Sequence, residues 1–142
     1  LAQIDPKNKP VYNQNYQQFC NEIDKKMGTW KDQAAKIRGT QIVTYHKVWS
    51  YFFEAFNLNC VGQLEPLPGI SPSVKHLAKL KSDLDNSKPK IVMAASYYPK
   101  QVSKQFSKSI NAKFCYVSAN VGEYNIENYA GLFDYLMAQL TQ

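Results

Sequence analysis

His46 is the residue whose type and position most clearly point to chemistry. It follows an apolar segment, Ile42 to Tyr45, that predicts a short buried strand, and apolar residues at helical spacing come after it. At such a strand-to-helix turn of a parallel α/β sheet, side chains lie in the crevice at the carboxyl ends of the strands, where ligands bind. One imidazole cannot hold a metal ion alone, because zinc takes three or four protein ligands. His46 therefore predicts part of a metal site.

Glu65 is the second candidate, because it ends the next predicted strand and is expected at the same edge of the sheet. Its carboxylate can accept a hydrogen bond from His46 and orient the ring, as metal-bound histidines usually require. Two alternatives stay open from the residues alone. Glu65 can form a purely structural salt link, and His46 can cap the following helix or form hydrogen bonds without a metal. Tyr97 and Tyr98, which follow the third strand, are expected to pack rather than to bind.

The elements that position these residues follow from apolar periodicity. Three- and four-residue steps predict a long amphipathic helix from Tyr12 to Ile37, which Gly39 ends. Alternating strands and helices then predict an α/β fold with a four-stranded parallel sheet, helices on both faces, and the long helix in front. The predicted strands lie at 41–46, 60–64, 91–95 and 114–117. A short helix follows the first strand, with an apolar face of Val48, Tyr51, Phe52, Ala55 and Phe56. After the second strand comes a helix capped by Ser71 and Pro72, with Val74, Leu77, Ala78 and Leu84 facing inward; a helix carrying Val102, Phe106 and Ile110 follows the third strand, and a final helix begins at Tyr129.

Charge and cysteine content restrict the class of protein. Seventeen basic and eleven acidic residues give a net charge of +6, which is compatible with contact to nucleic acid or an anionic membrane face. The lysines are spread over two helices without an arginine cluster or an aromatic RNA-binding motif, so we expect a solvated face and no nucleic-acid partner.

The three cysteines fit no metal-ligand spacing; we expect buried free thiols, with a Cys60–Cys115 disulfide as the alternative. His76 is expected at the surface.

No apolar segment is long enough to span a membrane. The first residues lack the pattern of a signal peptide, so the chain is expected either to be cytoplasmic or to have lost a leader. The start at Leu1 favours a fragment or a processed product.

Four stretches, in order, resemble the carboxyl-terminal lobe of the ZnuA/TroA-like family of zinc- and manganese-binding solute receptors of ABC importers. Ile4-Asp5-Pro6 with Tyr12 and Asn15 resembles the start of the family's long inter-lobe helix, and VTYHKVWSYFF at 43–53 resembles its histidine-bearing strand and helix. Glu65-Pro66 with Pro68-Gly69-Ile70 and Pro72-Ser73 is similar to its most recognisable loop. The segment from Lys90 to Gly122 resembles its last two strands.

The resemblance implies a division into a long inter-lobe helix region, residues 1–38, and a carboxyl-terminal α/β lobe, residues 39–142. The family holds its metal between two lobes: the amino-terminal lobe, which has no counterpart here, supplies two histidines, and the other lobe supplies a ligand at the position of His46. Many relatives add an aspartate near Ala119 and Asn120. This chain offers Asn120, with Glu123 three residues later, so Glu65, Asn120 and Glu123 are candidate metal or supporting residues, with water as the alternative.

The function implied is capture of Zn²⁺, or Mn²⁺, and delivery to an ABC importer permease, in the periplasm or on a lipid anchor. No catalysis is expected, and metal binding by the isolated lobe should be weak or absent. The alternative is a Rossmann- or flavodoxin-like enzyme domain acting on a small ligand. Against it, the sequence contains neither GxGxxG nor GxxxxGK[ST].

Overall fold

The long periodic pattern near the start of the chain forms α1, Lys9–Ala35, after a 3-10 turn at Pro6–Asn8. The computed structural model describes residues 1–142. The elements that follow are β1 (Gln41–Thr44), a 3-10 turn (Lys47–Trp49), α2 (Ser50–Phe56), β2 (Asn59–Gln63), α3 (Val74–Asp83), β3 (Ile91–Ala95), α4 (Lys100–Ser109), β4 (Lys113–Val117) and α5 (Tyr129–Thr141). None of the helices combines the length and the apolar character needed to cross a bilayer.

The four strands form one parallel sheet in the order β2-β1-β3-β4. Each of the first three strands is followed by a segment that crosses over to the next strand in sequence, and every residue of β3 is buried. A strand buried on both faces reads as a continuous apolar run, which is the pattern of Ile91–Ala95. The predicted α/β fold with a four-stranded parallel sheet is therefore confirmed.

Helices cover both faces of the sheet. On one face, α1, α2 and α5 pack on the side chains of Ile42, Met93 and Val117. On the other, α3 and α4 pack on Val43 and Val92. Successive strand residues point to opposite faces, so the two cores follow from the period of two along β1 and β3.

The apolar face predicted for α2 is confirmed at Phe52 and Phe56, which are buried, and is wrong at its other three residues. Val48 is 42% exposed and Tyr51 87% exposed, and Ala55 is also exposed, whereas Trp49 and Phe53 are buried. The cause is the 3-10 turn that precedes α2, because its three residues per turn rotate the following helix relative to an uninterrupted α-helical pattern.

Three smaller expectations also need correction. The cap of α3 is Ser73 and not Ser71, because the Ser73 hydroxyl accepts the hydrogen bond from the His76 amide at 3.1 Å. His76 is half-buried, and its Nε2 atom is buried without a hydrogen-bond partner, because it lies one turn before the inward-facing Leu80. Val74 and Ala78, predicted to face inward, are exposed.

All three cysteines are free thiols, so the Cys60–Cys115 disulfide is not formed. Cys115 is buried, and burial raises the pKa of its thiol. It is therefore protonated at neutral pH and behaves as a small apolar side chain.

A polar cluster fixes α1 against α5. The indole Nε1 of Trp30, a residue only 1% exposed, donates to Oδ1 of Asp134 at 2.8 Å. Lys26 Nζ lies 2.6 Å from Oδ2 of the same carboxylate. Burial acts to raise the pKa of Asp134, but the hydrogen bonds from Lys26 and Trp30 outweigh it and hold the pKa below its usual value.

We predict that Asp134→Ala lowers the free energy of unfolding by about 1–3 kcal/mol, because the buried Trp30 indole loses its acceptor. Asp134→Asn should lose less, since its amide oxygen can still accept from Trp30. Because the folded-state pKa is depressed, the wild-type advantage over Asp134→Ala should be complete at neutral pH and shrink as the pH falls below about 4. Urea unfolding at several pH values measures this, with the exposed Asp32→Ala as the control. Equal losses in the two alanine variants would contradict the prediction.

Candidate metal centre

The register between β1 and β2 decides which side chains meet at the carboxyl edge of the sheet. Ile42 pairs with Cys60 but Val43 pairs with Gly62, so β2 contains one extra residue at this point. The shifted pairing continues past the strands, where the Glu65 amide donates to the Tyr45 carbonyl at 2.9 Å. His46 and Glu65 consequently lie side by side, just beyond the ends of β1 and β2.

His46 and Glu65 are in direct contact. Nδ1 of the imidazole is hydrogen-bonded to Oε2 of Glu65, and the two side chains are 24% and 7% exposed. A carboxylate can only accept, so Nδ1 carries the hydrogen of this bond. In the neutral ring this leaves the lone pair on Nε2, which is the arrangement that a metal-binding histidine needs.

The second oxygen of Glu65 holds the turn that follows β2. Its Oε1 accepts from the Gly69 amide at 2.8 Å, and Gly69 has a φ of +79°, a conformation that side-chain-bearing residues rarely adopt. Leu67 and Ile70 close the same turn through a 3.0 Å backbone hydrogen bond. Both oxygens of this nearly buried carboxylate therefore have partners, and its position is fixed from two sides.

Tyr98 forms the aromatic wall beside His46. Its ring stacks on Tyr45 at a centroid distance of 4.6 Å and lies 5.8 Å from the imidazole centroid. Burial, with the nearby Tyr97 and the Glu65 carboxylate, raises the pKa of Tyr98 to about 12. The phenol is therefore neutral at physiological pH, and its ring packs against the site. Tyr97 is 53% exposed.

A cavity of about 250 Å³ is lined in part by the imidazole. It lies between the ends of β1 and β2 and the start of α2, and it is lined by His46, Trp49, Phe53, Cys60 and Gln63 among others. The Cys60 thiol already has a hydrogen-bond partner, since Gln63 Nε2 donates to its sulfur at 3.3 Å.

Asn120 and Glu123 lie in the loop after β4, two strands away from β1. Oε2 of Glu123 accepts from the Ser96 hydroxyl at 2.5 Å, which ties this loop to the end of β3. The Asn120 backbone is fixed by Ser118, whose hydroxyl donates to the Asn120 carbonyl at 2.8 Å. The structure therefore brings His46 and Glu65 together, whereas Asn120 and Glu123 lie in the loop after β4 and are hydrogen-bonded to Ser118 and Ser96 instead.

The chain contains no group of three or more His, Cys, Asp or Glu side chains that could hold a metal ion. His46 with Glu65 offers one nitrogen donor and one carboxylate, and the carboxylate is already engaged. This donor set fits a partial site, because zinc needs further ligands to complete its tetrahedron.

Sequence reasoning did not identify Ser96 or Tyr116. The Tyr116 hydroxyl donates to the carbonyls of Ser96 and Tyr98, and so holds the end of β3 in place. Ser96 directly follows a buried strand at the ligand-facing edge of the sheet, and this position in the sequence could have identified it as a candidate. Nothing in the sequence indicated Tyr116, since its role depends on strand order.

The chain matches one known protein family along its whole length. The family model described as "Zinc-uptake complex component A periplasmic" matches residues 1–142. The chain is 28% identical over 106 residues to the high-affinity zinc uptake system protein ZnuA of Haemophilus ducreyi, covering 75% of this chain and 32% of that protein. It is 25% identical over 117 residues to the Bacillus subtilis protein of the same name, covering 80% and 35%.

Solved structures share the fold. A crystal structure of ZnuA superposes with a TM-score of 0.81 at 17% identity, covering 99% of this chain and 50% of that one. The substrate-binding protein FpvC of Pseudomonas aeruginosa in complex with Mn²⁺ gives 0.79 at 19% identity, covering 99% and 53%. The laminin-binding adhesin Lmb of Streptococcus agalactiae gives 0.76 at 23% identity, covering 98% and 55%.

The chain thus spans about a third of the length of these curated relatives and about half of these solved structures. Within that span the family model is matched from the first residue to the last. The chain belongs to the ZnuA family, whose model describes the periplasmic component A of the zinc-uptake complex.

Proposed function

We propose that this chain is the carboxyl-terminal lobe of a zinc solute-binding protein, which captures the ion in a cleft between two lobes and hands it to an ABC importer. The observation that carries the proposal is the His46–Glu65 pair at the carboxyl edge of the sheet. Glu65 holds Nδ1, and Nε2 then acts as the metal donor. His46 is the ligand and Glu65 the positioning residue.

The proposal favours zinc over manganese for two reasons. Imidazole nitrogen suits zinc, whereas manganese sites are richer in carboxylate and other oxygen donors. The curated relatives are named for zinc uptake. Manganese remains the second candidate, because the neighbour FpvC was solved with Mn²⁺.

The remaining ligands come, in this proposal, from a second lobe. The solved relatives are about twice as long as this chain, which leaves room for one. From the present lobe we propose Glu123 ahead of Asn120 as a further donor, because a carboxylate binds a cation better than an amide and Ser96 holds Glu123 at the end of the strand next to β1. Water is the remaining occupant of that position.

The division at residue 38 and the cellular location follow the same reasoning. In this proposal residues 1–38 form the inter-lobe region, residues 39–142 form the lobe, and the protein works in the periplasm or on a lipid anchor beside its permease. The family description as periplasmic supports the location. The alternative of a Rossmann-like enzyme domain is not favoured, because the matched family is one of metal-uptake receptors.

We predict that this chain binds Zn²⁺ no more tightly than about micromolar, because a single imidazole supplies only part of the coordination free energy. His46→Ala should abolish the binding, and His76→Ala is the matched control because it removes the only other histidine. Zinc titration followed through ¹⁵N shifts of the two imidazoles measures both. Binding in the nanomolar range, or equal losses in both variants, would contradict the assignment of His46.

We predict that Glu65→Gln lowers zinc affinity by roughly 10- to 100-fold, the usual effect of removing a carboxylate that orients a metal-bound histidine. The amide is nearly the same size, but it no longer fixes the hydrogen on Nδ1 as a carboxylate does, so the tautomer populations of His46 should also change. Glu127→Gln is the control, because it removes the same charge from an exposed position. A similar loss in the control would mean that net charge, not orientation, governs binding.

A further inference from the structure

Arg38, the single arginine of the chain, forms no ion pair. The guanidinium lies just after α1, and two further unpaired cations, Lys88 and Lys90, lie just before β3. All three residues are exposed. Cations that are close together and lack an acidic partner create a local positive potential, which attracts an anion.

The three cations lie at the amino edge of the sheet. Residues 38–40 lead into β1 and residues 87–90 lead into β3, and these two strands are parallel neighbours. The Lys90 amide donates to the Gln41 carbonyl at 2.9 Å, which joins the two segments. The candidate metal centre lies at the carboxyl edge, so the second lobe proposed above would lie across the sheet from this region.

The two segments border an open cavity of about 420 Å³, which we call the basic basin. No acidic and no apolar side chain lines it. Besides the three cations, the lining consists of Gly39, the hydroxyl-bearing Thr40 and Ser87, and Gln41. Guanidinium, ammonium, hydroxyl and backbone amide groups are all hydrogen-bond donors, so the composition of the basic basin suits the oxygens of an anion.

Backbone geometry keeps the basic basin open. Gly39 has a φ of +77°, a Cβ at this position would have nothing within 4 Å, and its amide makes no backbone hydrogen bond. Lys88 also has a positive φ, +47°, and its amide is held by the Leu84 carbonyl at 3.0 Å. Gln41 adds a buried Oε1 atom without a hydrogen-bond partner, which can accept from a hydroxyl group.

A second cavity of about 390 Å³ adjoins the basic basin and shares Lys88 and Lys90 with it. Its lining differs, because it includes the apolar Leu84 and Ile110 and the carboxylate of Asp85. The carboxylate repels an anion, and the carboxyl ends of α3 and α4, which meet here, do the same through their dipoles. An anionic group is therefore directed to the basic basin, and a neutral organic group fits the adjoining cavity.

We propose that the basic basin binds a phosphate group, either as the free anion or as the phosphate of a small monoester whose organic part lies in the adjoining cavity. The Arg38 guanidinium offers two parallel N–H groups to two phosphate oxygens, and Lys88 and Lys90 supply point charges. Phosphate fits better than a carboxylate, because it carries nearly two negative charges at neutral pH and has three acceptor oxygens to face three cations. The inference does not depend on metal binding.

The test is titration of the metal-free chain with inorganic phosphate and with glycerol 3-phosphate, with chloride holding the ionic strength near about 100 mM. The ¹⁵N shifts of the Gly39 amide and the Arg38 guanidinium report binding. We expect saturable binding with a dissociation constant of about 1 mM or tighter, since three charge-assisted contacts each contribute about tenfold. Equal affinities would support free phosphate as the ligand, and tighter binding of the ester would support a phosphorylated small molecule.

Arg38→Lys keeps the charge but loses the planar fork, so we expect at least about fivefold weaker binding of both anions. Lys88→Gln with Lys90→Gln should weaken binding at least about tenfold. The matched control is Lys9→Gln with Lys25→Gln, which removes the same charge from exposed positions of α1. It should change binding less than about twofold, because these residues lie at least about 15 Å before the end of α1, beyond the range of screened charges.

Three results would each overturn the proposal. One is the absence of saturation with both anions, and another is an equal loss of affinity in the two lysine pairs. The third is a set of shifts spread evenly over the exposed lysines instead of centred on residues 38–41 and 87–90, since that pattern would indicate general charge attraction without a site.

Discussion

The site depends on the pairing of β1 with β2, and in particular on the extra residue that β2 contains between Cys60 and Gly62. Side chains alternate between the faces of a strand, so a shift of one residue would send Glu65 to the opposite side from His46. Gly62 allows the helix layer to approach at this point, because a Cβ there would come within 3.0 Å of a Leu80 methyl group. The irregular step in the sheet is therefore what places a carboxylate on the imidazole.

The two helix layers differ in how much of the hydrophobic core they cover. The α1–α5 layer supplies rigidity, through the buried Trp30 and the Asp134 carboxylate that accepts from it. The α3–α4 layer has fewer fully buried residues and carries the lysines. The two layers pack on opposite faces of one sheet, so surface changes in one layer should leave the other largely unaffected.

Much of this architecture was predictable because the spacing of apolar residues along the sequence reflects which side chains are buried. The apolar run Ile91–Ala95 and the helical spacing from Tyr129 each produced the element predicted. The errors arose where local geometry changes phase. A 3-10 turn rotated α2, and a choice between two nearby serines moved the cap of α3 to Ser73. The edge position of His46 and Glu65 followed from strand order, but their contact did not, because it requires the register shift. Gly62 inside a strand was the one sequence signal for that shift.

Preorganisation is the physical advantage of a half-site built in this way. The Glu65 carboxylate is held by the Gly69 amide and holds the His46 ring in turn, while Tyr98 packs beside the ring. A side chain already fixed loses little rotamer entropy when it binds, so under the proposed function more of the coordination free energy would remain available to bring the two lobes together. A flexible histidine would spend part of that energy on its own ordering. In the proposed two-lobe protein each lobe alone would hold the ion weakly, so the ion would favour the closed arrangement by the difference between its affinities for the closed and open states. In the proposed two-lobe protein the same weakness would allow release, since opening the cleft would return the ion to the incomplete site of this lobe.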